Sequence, residues 1–221
     1  MGLTSKPPLP ESMPKCPDCE EPFDTAHGLG IHLGKSDCER PDLSERQKQI
    51  AKGLLMGDAW IHPDGQLELD INSEAFVQWV ADEFSELNPS ITEISREPDK
   101  HQDGYRLRLM KTRFFEQLRG WYDSGRKEFP DNLELTPLIL KVWYCCDGCL
   151  EVSGRPWIAC ENERGYTKKL KSYFDDTPMD PAVYDSQNVI IAFRADDQED
   201  FFEWIGEPVP GYEYKWRNDN E

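Results

Sequence analysis

The stretch GLLMGDAW at residues 53–60 has a counterpart in VWYCCDGC at residues 142–149. Each stretch closes an apolar helical run with a single carboxylate and then enters a short β-type segment. Gly53 and Gly57 lie four residues apart and share one helix face, and Cys146 is the small residue before the second carboxylate. Small residues on one face let two helices approach closely. The two stretches therefore predict a tightly packed pair of helices.

This helix pair would bring the carboxylates of Asp58 and Asp147 together at the helix ends. Paired carboxylates in such a place suit divalent-metal phosphodiester chemistry. The alternative is that each aspartate only caps its helix. A carboxylate at a helix C-terminus opposes the helix dipole, however. Two of them at equivalent places therefore favour metal ligands over caps.

The second half of the chain repeats the order of the first half. Three features of the first half recur in the second half. Asp58 recurs as Asp147 after 89 residues, Asn72 as Asn162 after 90, and the Phe-Phe segment 114–118 as 201–205 after 87. Helical and alternating strand patterns follow the same order between these features. The sequence therefore predicts an α+β fold of two pseudo-symmetric helix-hairpin-helix-hairpin-helix (αββαββα) repeats, at residues 43–129 and 133–217.

The two stretches resemble the paired motifs of the LAGLIDADG homing endonucleases, in their single-chain, two-motif form. The second stretch, preceded by Leu135-Thr136-Pro137, is the more typical, whereas the first has Ala59 where the family usually has glycine. The resemblance covers residues 43 to 216. It implies site-specific hydrolysis of both DNA strands by a monomer, with Asp58 and Asp147 each binding Mg²⁺. Lys111 and Arg194, from their positions in the repeats, are the candidate basic residues near the metals.

The resemblance also implies that two antiparallel sheets form a saddle over the major groove of double-stranded DNA. Arg106 and Arg108 alternate along one predicted strand and share one face, so we expect them to contact DNA. Glu68 and Asp70 alternate on another strand and oppose this expectation. A basic cluster, Lys168, Lys169 and Lys171, is expected to contact the DNA backbone. Ordinary solvation is the alternative for all of these charges.

A small metal-binding module is expected at residues 15–40, after a disordered, proline-rich lead-in at residues 1–14. The four candidate ligands, in the spacing Cys-x2-Cys-x12-His-x5-Cys, are Cys16, Cys19, His32 and Cys38. Thiolates and an imidazole at this spacing suit a tetrahedral structural Zn²⁺. The segment resembles a zinc finger of the two-cysteine, two-histidine class, with Cys38 in place of the last histidine. His27 is a competing ligand, and the partner of the finger, DNA or protein, stays open.

The remaining cysteines, Cys145, Cys146, Cys149 and Cys160, admit a second zinc site as an alternative. Cys146 and Cys149 straddle Asp147, however, so small residues of the helix interface and strand core explain the set better.

Composition limits the function in two ways. The net charge of −18 over 221 residues opposes DNA binding unless the protein works in a salt-rich, halophilic cytoplasm, where at about 1 M salt the Debye length is only ~3 Å. The alternative is a solvated acidic surface that never meets DNA. No long apolar run or signal-peptide core is present, so we expect a cytoplasmic protein without a membrane span. A catalytically silent DNA-binding regulator and an RNA-intron maturase are the alternative functions.

Overall fold

The computed structural model divides the chain into two units, Met1–Asp42 and Leu43–Glu221, which are described separately. It describes residues 13–16, 21–35, 42–95, 104–123, 125–160 and 163–217. Most of the predicted lead-in, together with Cys19, Cys38 and Asn162, lies outside these ranges. Within the described ranges, no helix has the length and apolar character to cross a bilayer.

The described part of the first unit contains a β-bridge followed by a helix. Lys15 and Pro22 form an antiparallel bridge, and the amide of Phe23 donates to the carbonyl of Pro14 over 2.8 Å. Helix α1, Ala26–Lys35, follows. The ring of Phe23 packs against the ring of His32 with centroids 4.7 Å apart. The ring contact links the segment after the β-bridge to α1.

Side-chain caps start the helices of the first repeat in the second unit. Ser44 and Gln47 form a reciprocal capping box, and the hydroxyls of Ser73 and Thr112 accept from amides three residues on. The elements, in order, are α2 (Glu45–Met56), β1 (Ala59–Ile61), β2 (Leu67–Ile71), α3 (Glu74–Glu83), β3 (Ser90–Ile94), β4 (Gly104–Leu109) and α4 (Arg113–Leu118).

A small hairpin joins the two repeats, and the second repeat then follows the same order. Thr136 caps the first helix of this repeat, and Pro137 occupies its first turn. The hairpin strands are β5 (Tyr122–Asp123) and β6 (Arg126–Lys127). The elements of the repeat are α5 (Pro137–Asp147), β7 (Gly148–Leu150), β8 (Pro156–Ala159), α6 (Thr167–Ser172), β9 (Ala182–Asp185), β10 (Val189–Ala192) and α7 (Gln198–Ile205).

The two repeats build two four-stranded antiparallel sheets of the same topology. The strand orders are β1-β2-β4-β3 and β7-β8-β10-β9, and the fold expected from the sequence, two αββαββα repeats of α+β class, is confirmed. The inner faces of both sheets join one hydrophobic core with the helices. Large side chains with no exposed surface fill this core in both repeats, among them Phe76, Phe84, Trp143, Tyr144 and Phe201.

Candidate metal centre at the helix junction

Helices α2 and α5 pack side by side, and small residues set how closely they approach. A Cβ atom added at Gly53 would lie 2.7 Å from the carbonyl oxygen of Ile139. A Cβ at Gly57 would lie 2.3 Å from the Cβ of Cys146. Neither position can hold a side chain unless the two helices separate. The close approach predicted from Gly53, Gly57 and Cys146 is therefore present.

Asp58 and Asp147 line the same cavity at the ends of these helices. The cavity has a volume of about 240 Å³. Its other lining residues are Met56, Gly57, Phe129, Ala159 and Cys160. Asp58 is exposed, whereas Asp147 is partly buried. The junction thus brings one carboxylate from each repeat into a shared space.

The environment of Asp147 favours its neutral form. Burial raises the pKa of Asp147, the nearby carboxylate of Asp58 raises it further, and the result is a pKa of about 7. Lys127 and Lys215 act in the opposite direction but do not cancel the shift. Two carboxylates that repel each other in a partly buried space are stabilised by a bound cation.

Lys127, on the β5–β6 hairpin, bonds the end of α2 beside Asp58. Its ammonium group donates to the carbonyl oxygen of Gly57 over 2.6 Å and to that of Ala59 over 3.0 Å. These carbonyls flank Asp58. Burial lowers the pKa of Lys127, and the carboxylates of Asp147 and Asp58 oppose this shift. Lys127 therefore places a positive charge beside the carboxylate pair and fixes the end of α2.

Lys215 is a buried lysine of the second repeat that bonds carbonyls two and three residues before Asp147. Its ammonium group donates to the carbonyl oxygen of Cys145 over 2.6 Å, near the end of α5, and only 9% of the residue is exposed. Burial lowers its pKa, against the attraction of Asp147 and Asp58. Lys127 and Lys215 are 88 residues apart. Because this spacing matches the repeat, it is the signal by which the sequence could have revealed both lysines.

Lys111 and Arg194, the basic residues that the sequence predicts near the metals, lie on the sheets away from Asp58 and Asp147. Lys111 is beside the β1–β2 turn, its Cβ 3.3 Å from where a Gly65 Cβ would lie. Arg194 follows β10, with its side chain 75% exposed and 4.0 Å from Asp196. From the strand register, each lies about 13–16 Å along its sheet from the aspartate of its repeat. The structure therefore does not bring either of them to the carboxylate pair.

Arg106 and Arg108 lie on the outward face of the first sheet, each opposite an acid. The strand register pairs Asp70 with Arg106 and Glu68 with Arg108. Arg106 makes two hydrogen bonds to Asp70, of 2.7 and 2.6 Å, and Arg108 makes one of 3.1 Å to Glu68. The side chain of Arg108 is 50% exposed. The acids that opposed DNA contact in the sequence are thus the partners that orient these arginines.

The basic cluster of the second repeat divides into two environments. The Lys169 ammonium lies 2.7 Å from the fully buried Glu163 and donates to the carbonyl oxygen of Phe129 over 2.9 Å. This pair holds the segment between the repeats, which disfavours the DNA contact predicted for Lys169. Lys168 is exposed, and Lys171 is half-exposed and paired with Asp180.

The four cysteines of the second repeat do not converge. Cys145 and Cys160 are buried, Cys146 packs against Gly57, and Cys149 is exposed on the sheet. Among the described residues, no three His, Cys, Asp or Glu side chains are grouped to hold a metal ion. Within the described part of the chain, these cysteines are thus not grouped as a second zinc site would require.

The comparisons with known proteins show the family of the chain. Residues 48–201 match the LAGLIDADG DNA endonuclease family, and the chain belongs to this family. An uncharacterized protein, MJ1098 of Methanocaldococcus jannaschii, is 29% identical over 116 residues, which are 49% of this chain and 46% of that protein. The match thus spans about half of the relative's length.

Solved structures with similar folds are more distant in sequence. I-DmoI in complex with DNA and Mn is 13% identical, with a TM-score of 0.46, and the match covers 72% of this chain and 96% of that one. The N-terminal LAGLIDADG domain of DUF199/WhiA is 11% identical, with a TM-score of 0.48, and the match covers 80% of this chain and 88% of that one.

Proposed function

We propose that the protein is a site-specific double-strand DNA endonuclease that uses a divalent metal held by Asp58 and Asp147. The observation that carries this proposal is the cavity that both carboxylates line, where burial and mutual repulsion raise the pKa of Asp147 to about 7. Membership of the LAGLIDADG DNA endonuclease family supports the same reaction.

The donor set of the cavity fits Mg²⁺ better than a softer metal. Mg²⁺ keeps several waters and binds through one or two carboxylates plus substrate phosphates, rather than in a cage of protein ligands. Asp58 and Asp147 supply two hard oxygen donors, and the described residues supply no third acid or histidine. The arrangement therefore suits a metal whose coordination is completed by water and DNA phosphate.

Each residue of the site has a distinct task in this proposal. Bound metal supplies activation of the attacking water and stabilisation of the leaving oxygen. Asp58 and Asp147 hold the metal from the two repeats. Lys127 and Lys215 fix carbonyls near the ends of α2 and α5, and their positive charges would offset the negative charge that develops during cleavage.

Contact with DNA is assigned to the outward sheet faces and to exposed cations. Arg106 and Arg108, held by Asp70 and Glu68, are oriented for contact in the major groove. Exposed Lys168 is available for phosphates, whereas Lys171 would have to leave Asp180 to contact them. Together these residues would set the position of the protein along the DNA and its sequence preference. The proposed protein acts as a monomer with one metal centre between its two repeats.

We also propose a structural Zn²⁺ site in the first unit, held by Cys16, Cys19, His32 and Cys38. The β-bridge and the following α1 support it, because they present Cys16 and His32 from the elements that a ββα finger uses. Zinc measured by mass spectrometry should be about one per chain and should fall in Cys16→Ser. Undiminished zinc content in that variant would contradict the assignment.

Cleavage of double-stranded DNA tests the proposed activity. The substrate is the DNA that flanks this gene, joined without the inserted sequence, with Mg²⁺ in 0.1 to 3 M KCl. Double-strand cutting that Asp58→Asn and Asp147→Asn both abolish is the expected result. Tight binding without cutting, unchanged in both variants, would assign the protein to the DNA-binding regulators, and promotion of intron splicing in RNA would assign it to the maturases.

A further inference from the structure

The outward face of the second sheet is a continuous apolar surface. Residues paired across antiparallel strands point to the same side, so the register defines two rows. One row is Cys149, Trp157, Ala192 and Ala182. The other is Ala159, Ile190 and Tyr184. We call these seven residues the apolar face. The core lies behind the sheet, where Ile158, Val189 and Ile191 are fully buried.

Much of the apolar face is open to solvent. Tyr184 is 48% exposed, Cys149 and Ala182 are exposed, and Trp157, Ala159 and Ile190 are half-buried. Only Ala192 is buried among the seven. The structure therefore provides an apolar surface that nothing in the described part of the second unit covers.

The first sheet has the opposite chemistry at the equivalent positions. The row Trp60, Glu68, Arg108 corresponds to Cys149, Trp157, Ala192, and Asp70 and Arg106 correspond to Ala159 and Ile190. Four charged residues on one sheet are thus matched by four apolar residues on the other. The two sheets share one strand topology but present different surfaces, one charged and one apolar, to a ligand that contacts both.

The surroundings of the apolar face identify its occupant as DNA. At one end, Ala159 also lines the cavity of Asp58 and Asp147, so an occupant of the face adjoins the carboxylate pair. At the other end, Arg155 and Arg194 follow the two rows in register. Arg155 is paired with Glu151, whereas the side chain of Arg194 is 75% exposed, 4.0 Å from Asp196. A surface that is continuous with the candidate metal centre is placed to contact the phosphodiester substrate on which that centre would act.

In the major groove, the C5-methyl group of thymine is the apolar group that distinguishes base pairs. We infer that the apolar face reads thymine methyl groups, so that the target has an A·T-rich half beneath the second sheet and a guanine-containing half beneath the arginines of the first. This inference rests on the proposed DNA binding. It explains why Arg106 and Arg108 have apolar counterparts in the second repeat.

Replacement of thymine by deoxyuridine tests the inference, because it removes only the methyl group. Bound sequences are selected from random double-stranded DNA by the full chain with Ca²⁺ in place of Mg²⁺. Deoxyuridine is then introduced into each half of the selected site separately. We expect the affinity to fall about fourfold for each methyl that the face buries, in the A·T-rich half only. Tyr184→Ser should reduce this loss, whereas the exposed-tyrosine control Tyr214→Ser should not.

The outcomes separate the inference from the function on which it rests. Tight DNA binding that is unaffected by deoxyuridine in either half would overturn the inference and leave the proposed function intact. Failure of the wild type to bind double-stranded DNA at any salt concentration would overturn both. A dimer in ultracentrifugation that Tyr184→Ser dissociates, without change in DNA binding, would assign the face to a second copy of the chain.

Discussion

Asp147 is the residue whose ionisation links the fold to the proposed chemistry. Its folded pKa of about 7 lies above the ordinary value of an aspartate, because the carboxyl is partly buried and faces Asp58. The folded state therefore binds a proton that the unfolded state releases above about pH 4. Without metal, this group stabilises the fold less as pH rises from about 4 to about 7.

Asp147→Asn should therefore stabilise the metal-free protein at pH 8. A shift of about three pKa units corresponds to at most ~4 kcal/mol, and partial solvent exposure of the group makes ~1–3 kcal/mol the expected gain. The difference should vanish at about pH 3 and below, where the wild-type carboxyl is mainly protonated in both states. Urea unfolding in EDTA at about pH 3, 6 and 8 measures it. A less stable Asp147→Asn at pH 8 would contradict the assignment.

Lys127 carries the second prediction at this scale. Lys127→Met removes the charge beside the carboxylate pair, so the rate of Mg²⁺-dependent cleavage should fall ~100-fold or more, while DNA affinity changes by less than about threefold. The matched control is Lys111→Met, since Lys111 lies at the β1–β2 turn. Single-turnover cleavage and binding titrations give both quantities. A larger loss of rate in Lys111→Met than in Lys127→Met would instead support Lys111, the residue predicted from the sequence.

At the scale of elements, the packing of α2 against α5 sets the distance between the two aspartates. Gly57 faces Cys146 so closely that an added methyl group would lie 2.3 Å from the Cys146 Cβ. The contact at Gly53 is equally dependent on the absence of a side chain. The two glycines therefore control the geometry of the candidate metal centre as well as stability.

Gly57→Ala should lower the free energy of unfolding by about 1–3 kcal/mol, the usual cost of overpacking a core. Gly120→Ala is the control, because a Cβ at Gly120 meets no atom within 4 Å. The double variant Gly57→Ala/Cys146→Gly should recover part of the loss, since it returns the space that the alanine takes. Urea unfolding of the wild type, Gly57→Ala, Cys146→Gly and the double variant completes the cycle, and additive effects in the double variant would contradict direct contact.

Elements with a strong period could be predicted from sequence, and very short ones could not. The apolar run before Asp58 indicates helix α2, which ends at Met56, and alternating or apolar runs mark the core strands β2, β4, β8 and β10. The two-residue strands β5 and β6 and the exposed edge strand β9 show no such pattern. Lys127 lies on β6. Because no sequence pattern predicts this hairpin, position in the repeat points to Lys111 instead.

At the scale of the whole molecule, the net charge of −18 is the dominant property. The acids on the first sheet are paired with arginines, as Glu68 is with Arg108, but many others lie on exposed surface. Self-repulsion of such a surface destabilises the compact state and hinders the approach of DNA, and salt screens both effects.

The free energy of unfolding should therefore rise as KCl increases from 0.1 to 1 M, by about 1 kcal/mol or more. DNA affinity should fall less steeply over the same range than for a basic DNA-binding protein, or should increase. Urea unfolding and fluorescence anisotropy measure these quantities. Stability that decreases with KCl would contradict the expectation of a salt-rich environment.

The central claim is that Asp58 and Asp147 form one divalent-metal centre between the repeats. Binding of Mn²⁺, followed through the loss of the free-ion signal in electron paramagnetic resonance at pH 8, tests it directly. The wild type should bind Mn²⁺, and Asp58→Asn and Asp147→Asn should each weaken binding about tenfold or more, whereas Asp64→Asn at the exposed β1–β2 turn should not. Equal Mn²⁺ affinity in all four proteins would contradict the claim.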